Sequence, residues 1–223
     1  MARELIDNDT ADAESGNTGE TPLLQLPEKS LPSDGPSPAF RKCLGQAHDS
    51  LDRCGKVIFL REKMAELGCY LPRETFVCRP CGDDLSVSGG WNPGMKDRDG
   101  NPAPEIVLCE DKEMTQKTVN HTLAHELIHA FDQCRIKMNW DNCLHHACSE
   151  VRASNTSGEC DMMQEWKRGN FKWANGQQSC VKRRAELSLK LNPKCTDRAR
   201  EFVETAFESC YHDTEPYDKN PWY

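Results

Sequence analysis

Residues 119–132 read Val119-Asn-His121-Thr-Leu123-Ala-His125-Glu126-Leu127-Ile-His129-Ala130-Phe131-Asp132. Val119, Leu123, Leu127, Ala130 and Phe131 recur at helical spacing, and no Pro or Gly interrupts residues 113–138. The pattern predicts an amphipathic helix with one face for burial. Within it, His125 and His129 are four residues apart, so a helix presents both imidazoles on one face, one turn apart. Glu126 leans toward the same rim, within reach of a water between them. Two His ligands and an adjacent carboxylate base form the working core of a zinc peptidase. The pentad thus predicts one catalytic zinc ion, with Glu126 as the general base that moves a proton from water to the leaving amine.

A catalytic zinc takes a third protein ligand and keeps one position open. Asp132, His145, His146, Glu150, Glu159 and Asp161 are the downstream candidates. Glu150, 21 residues past His129, is the expected ligand. The interval lets the first helix end near Trp140 and a second helix return antiparallel, with Glu150 on its facing side. Asp132 is the alternative: one turn beyond His129, it could ligate, orient a ligand or pair with Arg135. Glutamate-ligand zinc peptidases carry a Glu-any-any-any-Asp motif on the second helix, but Ser154 stands where that Asp would be. The partner that orients a zinc-bound imidazole is therefore unassigned. His145 and His146 read as surface histidines; one of them or Arg152 is a candidate for stabilising the oxyanion. His121 reads as solvated or as a residue supporting the site.

Outward from the pentad, Glu105-Ile-Val-Leu-Cys-Glu110 predicts a short strand. As an exposed edge it could hold a peptide by main-chain pairing; as a core strand it could not. Residues 73–78 fit a strand and 82–104, rich in Gly, Pro and Asp, a loop. An amphipathic helix is expected from Phe40 to Gly68, weakest at Gly55. Trp166, Phe171 and Trp173 read as core aromatics. Val181–Leu191 and Thr196–Cys210 predict a helical hairpin turning at Asn192-Pro193, its open end clamped by a Cys180–Cys210 disulfide.

Thirteen cysteines in 223 residues predict disulfides, and hence an oxidising compartment. Cys78-Arg-Pro-Cys81 is the only Cys-any-any-Cys pair, so a zinc knuckle lacks its second half, and the odd count leaves one thiol over. Residues 1–39 carry eight acidic and two basic residues and −6 of the net charge of −8. They read as a disordered tail ahead of a single metallopeptidase domain over 40–223. The tail shows neither an apolar signal core nor the Arg-rich, acid-poor character of a transit peptide, which points by elimination to the mitochondrial intermembrane space. No apolar run approaches the roughly 18–20 residues that span a bilayer. The folded part is nearly neutral, which argues against nucleic acid as a partner.

Taken together, His125-Glu-Leu-Ile-His-Ala-Phe-Asp132, Cys134-Arg135, Cys148-Ser-Glu150-Val-Arg-Ala, Ser157-Gly-Glu-Cys160, Cys180-Val-Lys-Arg-Arg and Asp213-Thr-Glu-Pro216 resemble one family. It is the mitochondrial inner-membrane metallopeptidase family that matures subunit 6 of the ATP synthase, whose homologues are also called Ku-binding proteins. The resemblance spans residues 43–217 and supports His125, Glu126 and His129; Glu150 rests on the spacing argument. It implies a peptidase peripheral to the inner membrane, imported by oxidative folding, that cuts a synthase precursor and assists assembly of the membrane sector. The alternatives are an assembly chaperone with dispensable proteolysis, or a nuclear partner in DNA repair. The expected fold is mainly helical α+β and zincin-like: a small edge sheet, an active-site helix, a second ligand helix and a C-terminal helical hairpin, rich in disulfides.

Overall fold

The computed structural model describes residues 36–82, 87–161, 165–166, 169 and 176–219. The tail expected over 1–39 lies mostly outside them, as do Phe171 and Trp173. The chain divides into two compact units, which meet in sequence between Cys134 and Arg135.

The first unit begins with two helices, α1 (Pro38–Arg53) and α2 (Gly55–Glu66). Ser37 caps α1 by accepting the Phe40 N–H at 3.0 Å, and Pro38, whose ring pre-sets φ, opens the first turn. The single helix expected over 40–68 is broken at Cys54, whose ψ of 105° is extended. The break adjoins Gly55, the weak point of the pattern. Past α2, Gly68 has φ +84°, while the N–H groups of Gly68 and Cys69 bond the carbonyls of Ala65 and Met64. This is a Schellman stop, for which glycine is the unstrained residue.

Three short strands follow: β1 (Phe76–Arg79), β2 (Gly89–Asn92) and β3 (Glu105–Cys109), in the order β1-β3-β2. β3 pairs parallel with β1 and antiparallel with β2. The strand expected at 105–110 is thus central, not an exposed edge. Its Ile-Val-Leu-Cys run is fully buried, the pattern of a strand covered on both faces. β2 falls in the stretch expected to be loop. Gly-Gly has poor strand propensity, and here tertiary packing overrides it. A Cβ on Gly89 would lie 2.6 Å from the Val107 carbonyl oxygen and 2.7 Å from the Thr122 methyl carbon, so glycine admits the close approach.

Helix α3 (Gln116–Arg135) completes this unit and carries the pentad. Val119, Leu123, Leu127, Ala130 and Phe131 are all buried, as the periodicity predicts. The helix ends at Arg135, before the expected Trp140. Asn139 and Asn142 take the next backbone N–H groups into side-chain turns, accepting from Asp141 at 3.1 Å and Leu144 at 2.9 Å.

The second unit is helical. Asn142 caps α4 (Cys143–Thr156), the helix on which α5 (Gly176–Leu189) and α6 (Ala199–Tyr211) both pack. A short 3₁₀ turn at Thr196–Arg198 precedes α6. Ala147, Val151, Val181, Leu189, Val203 and Phe207 lie in their shared core.

All thirteen cysteines are described. Twelve form Cys43–Cys78, Cys69–Cys134, Cys81–Cys109, Cys143–Cys195, Cys148–Cys210 and Cys160–Cys180, and Cys54 is the free thiol. The expected Cys180–Cys210 clamp is absent. Both cysteines turn toward α4 instead: Cys210 bonds Cys148 on that helix, and Cys180 bonds Cys160 just beyond its end. Among the described residues no helix is long and apolar enough to cross a membrane. Trp166, expected in the core, is 40% exposed.

Candidate metal centre

The α3 geometry meets the requirement that the spacing sets. The rings of His125 and His129 lie with centroids 4.8 Å apart and planes at 78°, stacked edge-on along one face. His129 is buried and His125 half-buried, while Glu126 is buried beside them. Asp132, one turn further on, is also buried. Apolar contacts of Leu127, Ile128 and Phe131 fix the helix, so the polar edge stays in place without having to supply the folding energy. Each such buried side chain contributes about 1.5–3 kcal/mol.

Glu150 lies on α4 and is 3% exposed. Its Oε1 accepts from the Ser188 hydroxyl of α5 at 2.7 Å, and His146 Nε2 stands 3.3 Å from the same oxygen. Arg184 adds positive charge in this neighbourhood. Glu159 at 2.8 Å pushes its guanidinium pKa up against the effect of burial, and Glu150 acts in the same sense.

Two donor groups among the described residues could hold a metal ion: His125, His129 and Glu150, and Cys81, Cys109 and Asp111. The second fails on chemistry. Both sulfurs are spent in the Cys81–Cys109 disulfide, so neither is a thiolate. The Asp111 carboxylate accepts from the N–H groups of Cys81 and Gly82, which hold its pKa below the usual range although burial pushes it up. Two imidazoles and a carboxylate, by contrast, are a donor set that zinc accepts.

Other residues singled out in the sequence have different work. Arg152 is no free oxyanion donor: its side chain is 1% exposed, and it donates to the carbonyls of Asp213 at 2.5 Å and Glu215 at 2.6 Å. Arg135 pairs with Asp213 at 2.7 Å and Glu215 at 2.9 Å. His145 is buried, not superficial, and its Nδ1 accepts the Asn139 N–H at 3.3 Å. His146 is partly buried against Trp140, ring centroids 5.4 Å apart. His121 is partly buried. The contribution of Ser188 was not legible, since 38 residues separate it from Glu150. The spacing of His146 four before Glu150 was a usable signal, because such pairs meet on a helix.

A family model matches residues 41–218, most of the chain. The chain belongs to the Peptidase M76 family. It is 40% identical over 166 residues to mitochondrial inner membrane protease atp23 of Schizosaccharomyces pombe, covering 73% of this chain and 84% of that one. It is 37% identical over 183 residues to the protein of the same name from Coccidioides immitis, covering 80% and 73%. With the Mycosarcoma maydis protein, also so named, it shares 40% over 148 residues, 64% of this chain and 66% of the relative. No solved structure matches.

Proposed function

We propose that this peptidase-family chain is a zinc endopeptidase of zincin type in which His125, His129 and Glu150 hold one ion and Glu126 is the general base. The carrying observation is the turn-spaced, edge-on imidazole pair with Glu126 buried beside it. Zinc bound there would polarise the scissile carbonyl and bring the pKa of a water toward neutrality. Glu126 takes a proton from the attacking water and delivers it to the departing amine nitrogen. Glu126 follows His125 on the helix and is buried, which suits it to both transfers.

Glu126→Gln removes the proton acceptor and neither imidazole. Peptidase activity is expected to fall by about 10²–10⁴-fold with zinc content unchanged; activity within tenfold of the parent would end the general-base assignment. Glu150→Ala is expected to lose both zinc and activity. Full zinc occupancy in Glu150→Ala, with loss in Asp132→Ala, would transfer the ligand role to Asp132.

The substrate reading, an ATP synthase subunit 6 precursor cut by an enzyme peripheral to the membrane, follows from the family resemblance; the relatives' names support a protease of the mitochondrial inner membrane. Six disulfides suit an oxidising compartment, which supports the intermembrane space. Incubating the parent and Glu126→Gln proteins with that precursor tests the assignment, since only the parent should shorten it.

A further inference from the structure

The surroundings of Glu150 contain a relay that the proton-transfer scheme does not use. Its Oε1 accepts the Ser188 hydroxyl of α5 at 2.7 Å, and His146 Nε2, one turn back on α4, stands 3.3 Å from the same oxygen. The other ring nitrogen of His146 faces the Asn192 amide nitrogen at 3.1 Å. The same amide nitrogen donates to the Trp140 carbonyl at 3.2 Å. A carbonyl oxygen can only accept, so the amide must turn its NH₂ end this way. One of its hydrogens goes to Trp140, and the second points at His146 Nδ1, which must accept it. A neutral imidazole that accepts at Nδ1 carries its proton on Nε2. That nitrogen stands 3.3 Å from Glu150 Oε1, and Trp140 packs edge-on against the ring.

We infer that Ser188 and His146 are positioning residues that pin Oε1 of Glu150 and turn its other oxygen toward the metal, with Asn192 setting the His146 tautomer. The inference rests on Glu150 being a zinc ligand. It gives a further role to the turn at Asn192-Pro193, whose side-chain amide also bonds the Trp140 carbonyl. Partners that orient a ligand typically change metal affinity by about 10–100-fold when lost.

Zinc affinity of the full chain, read by competition with a chromophoric chelator, tests this. Ser188→Ala and His146→Gln are each expected to weaken zinc binding by about 10–100-fold, and Ser188→Thr, which keeps the hydroxyl, to restore it. The visible spectrum of the cobalt-substituted protein should shift in Ser188→Ala and revert in Ser188→Thr, which a merely destabilised fold would not produce. Nitrogen-15 shifts of His146 in the parent should report the Nε2–H tautomer. Parent-like zinc affinity in Ser188→Ala and His146→Gln, or a loss in Ser188→Ala that threonine does not rescue, would overturn the inference. Glu150→Ala, measured alongside, separates the two claims. If it binds zinc like the parent, the ligand assignment itself has failed; if it alone loses zinc, only the positioning roles have.

Discussion

Residues 36–134 and residues 135–219 each close three disulfides, yet they fill their interiors with different chemistry. In the first unit the buried groups are mainly aliphatic: Val57, Leu60 and Met64 of α2, Ile106, Val107 and Leu108 of β3, and Leu123 and Leu127 of α3. In the second, α4 is buried almost throughout, and Ser149, Glu150, Arg152, Ser154, Asn155 and Thr156 are buried with it. An aliphatic interior tolerates many sequences of similar volume. A buried polar one does not, because each group must find a partner or carry its desolvation cost. The second unit meets that demand from a distance: Asn155 donates to the Tyr211 carbonyl at 2.8 Å, Arg184 to Glu159, and Arg152 to the 213–215 segment.

The sharpest way to break this contrast is Asp213→Asn. Its carboxylate meets both Arg152 and Arg135, whose side chains are 1% and 3% exposed. Removing one partner of a buried ion pair strands the other charges, at a cost of about 5 kcal/mol, read by denaturant unfolding. A loss under about 1 kcal/mol would show that the second unit does not depend on its ionic interior. The same group gives a pH signature. Burial pushes the Asp213 carboxyl up, but Arg152 and Arg135 outweigh it, so its folded pKa lies below the ordinary value. A depressed carboxylate stabilises fully above the unfolded-state pKa. That contribution fades as pH falls through the folded pKa. Acid unfolding of the parent should therefore start below about pH 4, and Asp213→Asn should lose that part of the slope.

Next in size is the pair Cys148→Ala and Cys210→Ala. The bond closes a separation of 62 residues, so its loss should cost about 4 kcal/mol in the chain-entropy treatment. Peptide mapping without reduction should recover the six pairings; a Cys180–Cys210 peptide would contradict the packing of α5 and α6 on α4. Leu108→Ala probes the first unit and should cost about 3 kcal/mol, transfer and cavity together. It should do so without a pH-dependent component, in contrast to Asp213→Asn. Smallest is Cys54→Ser, at the half-buried break between α1 and α2, expected to stay within about 0.5 kcal/mol. A larger loss would make that thiol part of the first unit's packing.

Periodicity made α3 legible because its apolar stripe repeats within one local segment, and the same segment fixes the mutual placement of His125, Glu126 and His129. The β3 segment and the two C-terminal helices were legible for the same reason. The centre of the sheet was not, since whether a strand lies at an edge depends on β2, a Gly-Gly-Trp-Asn segment with little strand signal of its own.

The sequence by itself determined the helix, the paired imidazoles and the carboxylate beside them, because these rest on local spacing, and the cysteine count pointed to disulfides. Only the tertiary structure decided which cysteines meet, that Arg152 is bound to the 213–215 segment, and that Ser188 and Asn192 converge on Glu150 and His146. Those outcomes join residues tens of positions apart. Their energies arise only when helices pack, and no local pattern encodes which side chain a neighbouring helix will offer.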